Sequence, residues 1–357
     1  MTGIGRFLLN FLEYVAEYDR ENMYILLFSA RPTHVEVFAD NIRYEIIPEQ
    51  STLVWDQIQL PRCLKKKKAD LFFSPYYKLP FLAPCPTVIT IHDVHFFTLP
   101  IYRKQNGPLL NAYYRIVGKL YCRKAASILT VSQRSRWDII GVYEVPPEKV
   151  HVVYNGVNRK RYCPMDPIWA LEEIKRYFPQ IMGHFILYVG NSKPHKNVNS
   201  LMKVYKYLPK ALQRNYQLVL VGVEDTVGDI AAALGLGDRV VILSRVEEHL
   251  LPVTYNAASL FISASLYEGF GLPALEAMAC GTPVVVSDRG ALPEVVGDAG
   301  LLFDPENISQ MVEMIQMVLE DESLRREMSL RGLRRASQFS AERIARKILG
   351  HLIAVCR

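Results

Sequence analysis

What this chain lacks narrows its class. No run in its 357 residues approaches the roughly eighteen apolar residues that a membrane span needs, and its opening residues do not read as a secretory signal. Six cysteines (Cys63, Cys85, Cys122, Cys163, Cys280, Cys356) are scattered without paired spacing. That argues against a disulfide framework, a zinc ribbon or a redox motif, and makes a reducing cytosol the expected compartment. No Asp-x-Asp or related carboxylate pair stands in the segments that would line a cleft, so no metal is expected. A charge excess is missing from the second half: residues 161–357 hold 21 Lys+Arg against 22 Asp+Glu. The net charge of +6 therefore comes from residues 1–160, with 21 against 14. Such a bias suits an anionic surface or acceptor rather than nucleic acid in general.

What is present is an alternation. Half the residues are hydrophobic, and the length suffices for two α/β domains with separate cores. RFLLNFLEYVAEY has helical spacing, and MYILLFS, VEVFA, YEIIP, LFFSP, TVITIHD, SILTVS and VHVVYN follow as short strands with helical stretches between. This predicts a doubly wound domain over 1–156. A charged, proline-bearing stretch, 157–182, reads as a linker. HFILYVGN, YQLVLVG, RVVILS, SLFISAS, TPVVVS and GLLFD then repeat the pattern over 183–339, and 340–357 is a terminal helix.

The most informative segment is EGFGLPALEAMACGTPVVVS, residues 268–287. SLFISAS before it reads as a buried strand. ALEAMA reads as a short helix, with Pro273 in its first turn and Gly281 just past its end. A strand, a glycine turn and a helix N-terminus offer backbone N–H groups to an anion. Gly269 and Gly271 carry no Cβ, so a ligand can lie on the main chain there. Glu268 and Glu276 flank the turn, and carboxylates suit sugar hydroxyls rather than phosphate. The pattern fits a nucleotide sugar, with hexose near Glu268, diphosphate on the turn and ribose near Glu276. For Glu276 alone, the helix dipole is an equally good reason for an acid in a first turn.

Two other constellations join it. LYVGNSKPHKN crowds Lys193, His195 and Lys196 after Gly190, and cations there can offset a diphosphate leaving group without a metal. TVITIHDVHFF places His92 and Asp93 at a strand end, where Asp93 either orients the imidazole or caps a turn.

With SDRGALPEVVGDAGLLFDP (287–305), these segments resemble glycosyltransferase family 4, whose Glu-(seven residues)-Glu motif is matched by Glu268 and Glu276. The resemblance covers nearly the whole chain and is specific for the family, not for the substrate. It implies an α/β GT-B fold: two Rossmann-like doubly wound domains facing a cleft, with the terminal segment SAERIARKILGHLIAV crossing back onto the first. It further implies retaining transfer by same-face attack, with catalytic roles for His92, Glu268 and Lys196. His92 matches a histidine that touches the donor sugar, and Lys196 matches a phosphate-binding lysine. Asn191 stands where the family often has an arginine, so either the phosphate clamp is weaker or Lys193 substitutes. Donor contacts are implied at Gly3, Gly5, Gly190, Asn191, Lys193, Lys196, Val246, Glu268, Gly269, Phe270, Gly271, Leu272 and Glu276. HDV followed by Phe-Phe and a proline resembles mannosyltransferases of surface-polysaccharide assembly. That favours GDP-mannose as donor, a glycan or polyisoprenoid-linked acceptor, and no cofactor beyond the substrate. A GT-B nucleotide-sugar epimerase and a non-catalytic glycan- or partner-binding subunit are the alternatives.

Smaller features complete the reading. In TVSQRSRWDI, Ser135 is a candidate helix cap and Arg136 a candidate diphosphate contact. KKKK at 65–68 reads as a solvated run. The stretch 102–124 mixes six cations with four tyrosines and suits an anionic membrane surface, so the expected location is cytoplasmic and peripheral to the inner face of the membrane. Finally, TGIGRF appears at once, where the family has a strand before its glycine loop. The expectation is that a central strand is missing from the first sheet and that the natural start lies upstream.

Overall fold

The computed structural model describes residues 3–30 and 37–357. The chain forms two compact units, Met1–Gly156 with Ala341–Arg357, and Val157–Ser340.

In the first unit, helix α1 (Gly3–Tyr18) buries Phe7, Phe11, Leu12 and Val15 along one face. Gly3 and Gly5, expected in a loop, lie inside this helix, because the amphipathic run from Phe7 carries its period back through both. Strands β1 (Tyr24–Phe28) and β2 (Ile42–Ile46) pair in parallel as one small sheet. A second parallel sheet holds β3 (Phe72–Ser74), β4 (Thr87–Thr90), β5 (Ser127–Thr130) and β6 (Val150–Val152) in that order. Among the described residues no strand joins the two sheets. Helix α1 instead packs on both, with Phe11 edge-on to Tyr24 and Phe73 at centroid distances of 6.0 and 5.8 Å. Of the expected strand VEVFA, Val35 and Glu36 lie outside the described residues, and Val37, Phe38 and Ala39 are not in a strand.

Helix α2 (Leu60–Lys67) takes three of the four consecutive lysines into its last turn, and Lys68 ends it in the left-handed conformation. Helix α3 (Pro100–Lys124) is kinked where Gly107 (φ 72°) precedes Pro108. Helix α4 (Gln133–Tyr143) follows β5. The terminal helix, Ala341–Cys356, adds Ile344, Ala345, Ile348 and Leu352 to the core that α1 occupies. His351 from that helix meets Ser127 Oγ through Nε2 at 2.8 Å.

The second unit holds one parallel sheet of β7 (His184–Val189), β8 (Tyr216–Val221), β9 (Val240–Leu243), β10 (Leu260–Ser263), β11 (Val284–Ser287) and β12 (Leu301–Phe303). Their order is β12-β11-β10-β7-β8-β9. VVVS and LFIS are buried at every position, as expected of parallel strands covered on both faces. The stretch expected as a linker contains helix α5 (Pro167–Tyr177). Asp166 caps it by accepting from Trp169 N at 2.8 Å, and its Ala170 and Ile174 are buried, so it is part of the second unit's body. Helices α6 (Val198–Tyr207), α7 (Leu251–Ala257), α8 (Leu272–Ala279), α9 (Ile308–Glu320) and α10 (Glu322–Ser337) are among those that cover the sheet, with shorter ones at Lys210–Asn215, Thr226–Ala233 and Leu292–Val296.

Candidate active site

The sheet of the second unit changes direction between β7 and β10: β8 and β9 extend to one side, β11 and β12 to the other. In doubly wound sheets the crevice outside the carboxyl ends of strands at such a switch point is where ligands bind. Here β7 runs into the Gly190 to Lys196 segment and β10 into the Glu268 segment, so the fold brings together the two constellations that sequence alone singled out. Lys196 Nζ meets Glu268 Oε1 at 2.6 Å, with both side chains about one-seventh exposed. Backbone ties the same loops, with Leu266 N donating to His195 O at 2.7 Å. Ser265 Oγ donates to the same Glu268 oxygen at 2.8 Å and is itself 3.1 Å from Ser263 Oγ. Glu268 Oε2 has no bonding partner among the described residues. It is the atom poised to accept from a hydroxyl group.

Glycines set this geometry. A Cβ at Gly190 would lie 2.6 Å from the Tyr188 hydroxyl, which donates to Asn191 O at 2.8 Å and so folds over the turn. Burial, and then the charge of Glu268, hold that phenol well above its ordinary pKa, so it stays a donor. Gly290 (φ 62°) lies against Glu268 itself: its Cβ would be 2.5 Å from both the N and O of Glu268, whose carbonyl accepts from Ala291 N at 2.9 Å.

The GFGLP turn differs from expectation. Gly269, Phe270, Gly271 and Leu272 are buried. Gly271 (φ 99°) answers a backbone need and a side chain, since its Cβ would meet Leu292 Cδ2 at 2.6 Å. Pro273 has no N–H, and the N–H groups of Ala274 and Leu275 fold back onto Gly271 O at 3.1 and 3.2 Å. The row of bare donors expected at this helix end is therefore largely used up, and the cations carry more of the argument for an anion. Glu276 is 1% exposed and accepts from Tyr255 Oη at 2.8 Å. Asn191 Oδ1 accepts from Lys193 N at 3.1 Å, closing the loop locally and leaving the Lys193 side chain exposed. Val246 is half-buried in the loop beyond β9, and His195 is buried.

In the first unit His92 follows β4. Its Nε2 is 3.1 Å from Pro75 O, and Phe7 packs edge-on at 5.2 Å. Burial lowers its pKa, so the ring is neutral near pH 7. A carbonyl only accepts, which places the proton on Nε2 and leaves Nδ1 as the acceptor. Asp93 does not orient His92. Its carboxylate lies 2.5 Å from His95 Nδ1 and accepts from His95 N at 3.2 Å. Burial pushes that carboxyl up, but the bonds and charge of His95 outweigh it and hold it below the usual range. Arg136 is spent on Val150 O (2.9 Å) and Pro147 O (2.8 Å), so it braces β6 rather than meeting a diphosphate. The cap of α4 is Ser132, which accepts from Ser135 N at 3.0 Å; its position just after β5 was the available signal.

The sheet and its switch point are those of a doubly wound ligand-binding domain, and the chain has the fold of GT-B glycosyltransferases. Two solved structures share the fold over nearly the full length. Anabaena Alr3699/HepE in complex with UDP-glucose has a TM-score of 0.77 at 21% identity, covering 98% of this chain and 96% of that one. Sucrose-phosphate synthase from Thermosynechococcus elongatus has a TM-score of 0.76 at 22% identity, covering 96% and 91%. The chain belongs to glycosyltransferase family 4: residues 1–161 match the profile described as Glycosyltransferase Family 4, and residues 172–335 that of Glycosyl transferases group 1. It is 33% identical to the O-antigen chain mannosyltransferase B of Escherichia coli, over 96% of this chain and 93% of that protein. To the O-antigen chain mannosyltransferase RfbU of Salmonella typhimurium it is 32% identical, over 68% of this chain and 63% of that one.

Proposed function

We propose that the protein is a retaining, metal-independent mannosyltransferase. It moves mannose from GDP-mannose to a glycan or polyisoprenoid-linked acceptor during cell-surface polysaccharide assembly, in the cytoplasm at the inner face of the membrane. The observation that carries the reading is the 2.6 Å pairing of Lys196 with Glu268 at the sheet's switch point. A nucleotide diphosphate sugar needs one cation for the leaving group and one acceptor for the hexose hydroxyls, and this pair supplies both. As the anomeric C–O bond breaks, its electrons pass to the diphosphate, whose charge Lys196 offsets with Lys193 as second cation. The acceptor hydroxyl bonds the same face of the anomeric carbon, and its proton passes to the departing phosphate. Glu268 Oε2 takes a sugar hydroxyl, Glu276 the ribose, and His92 Nδ1 a hydroxyl of the donor sugar. Mannose is supported by the names of the relatives.

The test is transfer from a panel of nucleotide sugars to a lipid-linked glycan acceptor, with the anomeric configuration of the product read by NMR and EDTA present in a parallel arm. Preference for GDP-mannose, an α-linked product and no loss in EDTA are expected. A different preferred donor would overturn the substrate, an inverted product the stereochemistry, and metal-restored activity the cation account.

A further inference from the structure

The carboxyl ends of β3 and β4 carry a pair of residues that the donor chemistry leaves unused. Ser74, the last residue of β3, lies beside Ile89 of β4 in the parallel register. The loops that follow are fastened to each other by His92, whose Nε2 donates to Pro75 O at 3.1 Å. Tyr76 and Asp93 are the next residues on either side of that contact. Ser74 Oγ accepts from Tyr76 N at 3.3 Å and donates to Tyr76 O at 2.9 Å. Further along, Lys78 pairs with Asp56 at 3.7 Å, Gln57 Nε2 donates to Leu79 O at 3.2 Å, and Phe81 N donates to Gln57 Oε1 at 2.9 Å. The Tyr76 ring packs on that of Tyr77 at a centroid distance of 4.3 Å, and Tyr77 meets the buried Tyr121 at 6.4 Å. Residues 75–86 form neither helix nor strand, yet they are braced along their length and still leave Tyr76 45% exposed. A wet tyrosine on a loop is ordinary. One on a loop already held in a single shape loses little further freedom when it binds something.

Asp93 is arranged as Glu268 is in the second unit, with one oxygen held and the other open. Both contacts with His95 fall on Oδ1, at 2.5 Å from Nδ1 and 3.2 Å from N. Oδ2 has no bonding partner among the described residues, and the side chain is 26% exposed. Burial favours the neutral acid, but the bonds to His95 outweigh it, so the group is a carboxylate near pH 7. An aromatic face beside an open carboxylate oxygen is a combination that a pyranose satisfies. The negative face of the ring attracts the sugar's axial C–H groups, and the carboxylate accepts from a hydroxyl. A phosphate would meet the like charge of Asp93, and an apolar chain would leave Oδ2 without a donor. The chemistry therefore selects a neutral sugar residue over the charged or lipid part of an acceptor.

We propose that Tyr76 and Asp93 Oδ2 bind the sugar of the acceptor, Tyr76 by stacking and Asp93 by accepting from a hydroxyl. This deepens the transfer reading and rests on its statement that the acceptor carries a glycan. His92, which in that reading takes a donor hydroxyl through Nδ1, joins the two loops through Nε2. The experiment is binding of α-linked mannotriose to the full chain, read by saturation-transfer NMR, with a separate titration of GDP-mannose by calorimetry. The wild type binds the trisaccharide, with saturation strongest on the C–H protons of one sugar face. Tyr76→Leu and Asp93→Asn each weaken that binding about tenfold or more, whereas Tyr76→Phe stays within about twofold. Affinity for GDP-mannose is the same in all four proteins, and in steady state only the KM for mannotriose rises in the two weakened variants. Tyr76→Leu keeps apolar bulk at an exposed position, so its melting temperature matches the wild type. Should Asp93→Asn melt lower, the two Tyr76 variants still decide the stacking. The proposal is overturned by a wild type that does not bind the trisaccharide, by a Tyr76→Leu variant that binds it as well as the wild type, or by a Tyr76→Phe variant as weak as Tyr76→Leu. An Asp93→Asn variant of wild-type stability and affinity overturns the part of Asp93. Trisaccharide binding without GDP-mannose binding supports the subsite and removes the donor reading instead.

Discussion

Lys196 and Glu268 hold each other at 2.6 Å, and each is partly shielded from water. Removing one partner leaves the other charge without its counterpart and removes a contact to donor, so the two effects add at one site. A charged hydrogen bond is worth about 1.5–3 kcal/mol, which predicts a fall in kcat of roughly tenfold or more for Lys196→Ala and for Glu268→Gln. Steady-state rates at saturating donor check this, and a wild-type kcat in either variant removes that residue from the mechanism. Gly290 tests the backbone beneath Glu268. Its φ of 62° and the 2.5 Å approach of a Cβ to Glu268 N and O leave no room for alanine without moving the loop. Gly290→Ala is expected to lower both kcat and melting temperature; full activity with an unchanged melt would show that the loop tolerates the shift. Sequence reading singled out Lys196 and Glu268 because each follows a strand end in a distinctive string, and the structure brings the two side chains together. That reading did not find Ser265, Tyr255 or Gly290. Tyr255 reaches Glu276 across 21 residues of chain, and Gly290 reaches Glu268 from beyond β11, so no local pattern records either contact. The pairing of Asp93 with His95, in contrast, is a two-residue contact that its spacing did contain.

At the scale of elements, strands were legible in apolar runs bounded by Pro, Gly, Asn or Asp, as in TVITIHD and YQLVLVG, which became β4 and β8, although Val37, Phe38 and Ala39 before Asp40 did not follow that rule. The glycine pair at the start was read by type rather than by context, and the period of α1 overrode it. Least visible was how the terminal helix is fastened. His351 lies 4.5 Å from His151, centroid to centroid, and bonds Ser127. Burial first, and then the neighbouring His151, lower the pKa of His351; burial and then Arg136 lower that of His151. Both rings therefore bind protons less readily folded than unfolded. Below about pH 6.5 the unfolded chain takes up more protons, so this contribution to stability is complete above that pH and is lost as pH falls through it. His351→Gln removes one of the two rings. The urea midpoint of the variant should fall less than that of the wild type between about pH 7.5 and about pH 5.5. Parallel pH profiles for the two proteins would show that the histidine pair does not couple to folding.

For the whole molecule, the division into units is not a division of the chain at one point. The first unit is completed by Ala341–Arg357, which arrives only after the second unit has been traversed. Its Ile344, Ile348 and Leu352 are buried with Phe7, Phe11 and Val15 of α1. Burying one such side chain contributes about 1.5–3 kcal/mol, so three together approach the roughly 5–15 kcal/mol by which a domain is stable. The cluster of the second unit around β7, β8 and β10 contains no residue of that helix. A chain shortened after Ser340 should therefore lose the first unit and keep the second. Limited proteolysis would then leave a protected fragment beginning near Val157, and calorimetry would show one transition where the full chain shows both units melting. The fragment should still bind nucleotide sugar, because Lys196, Glu268 and Glu276 all lie within it, but should not transfer. If the shortened chain resists protease across residues 1–156, the terminal helix is an ornament of the first unit rather than part of its core.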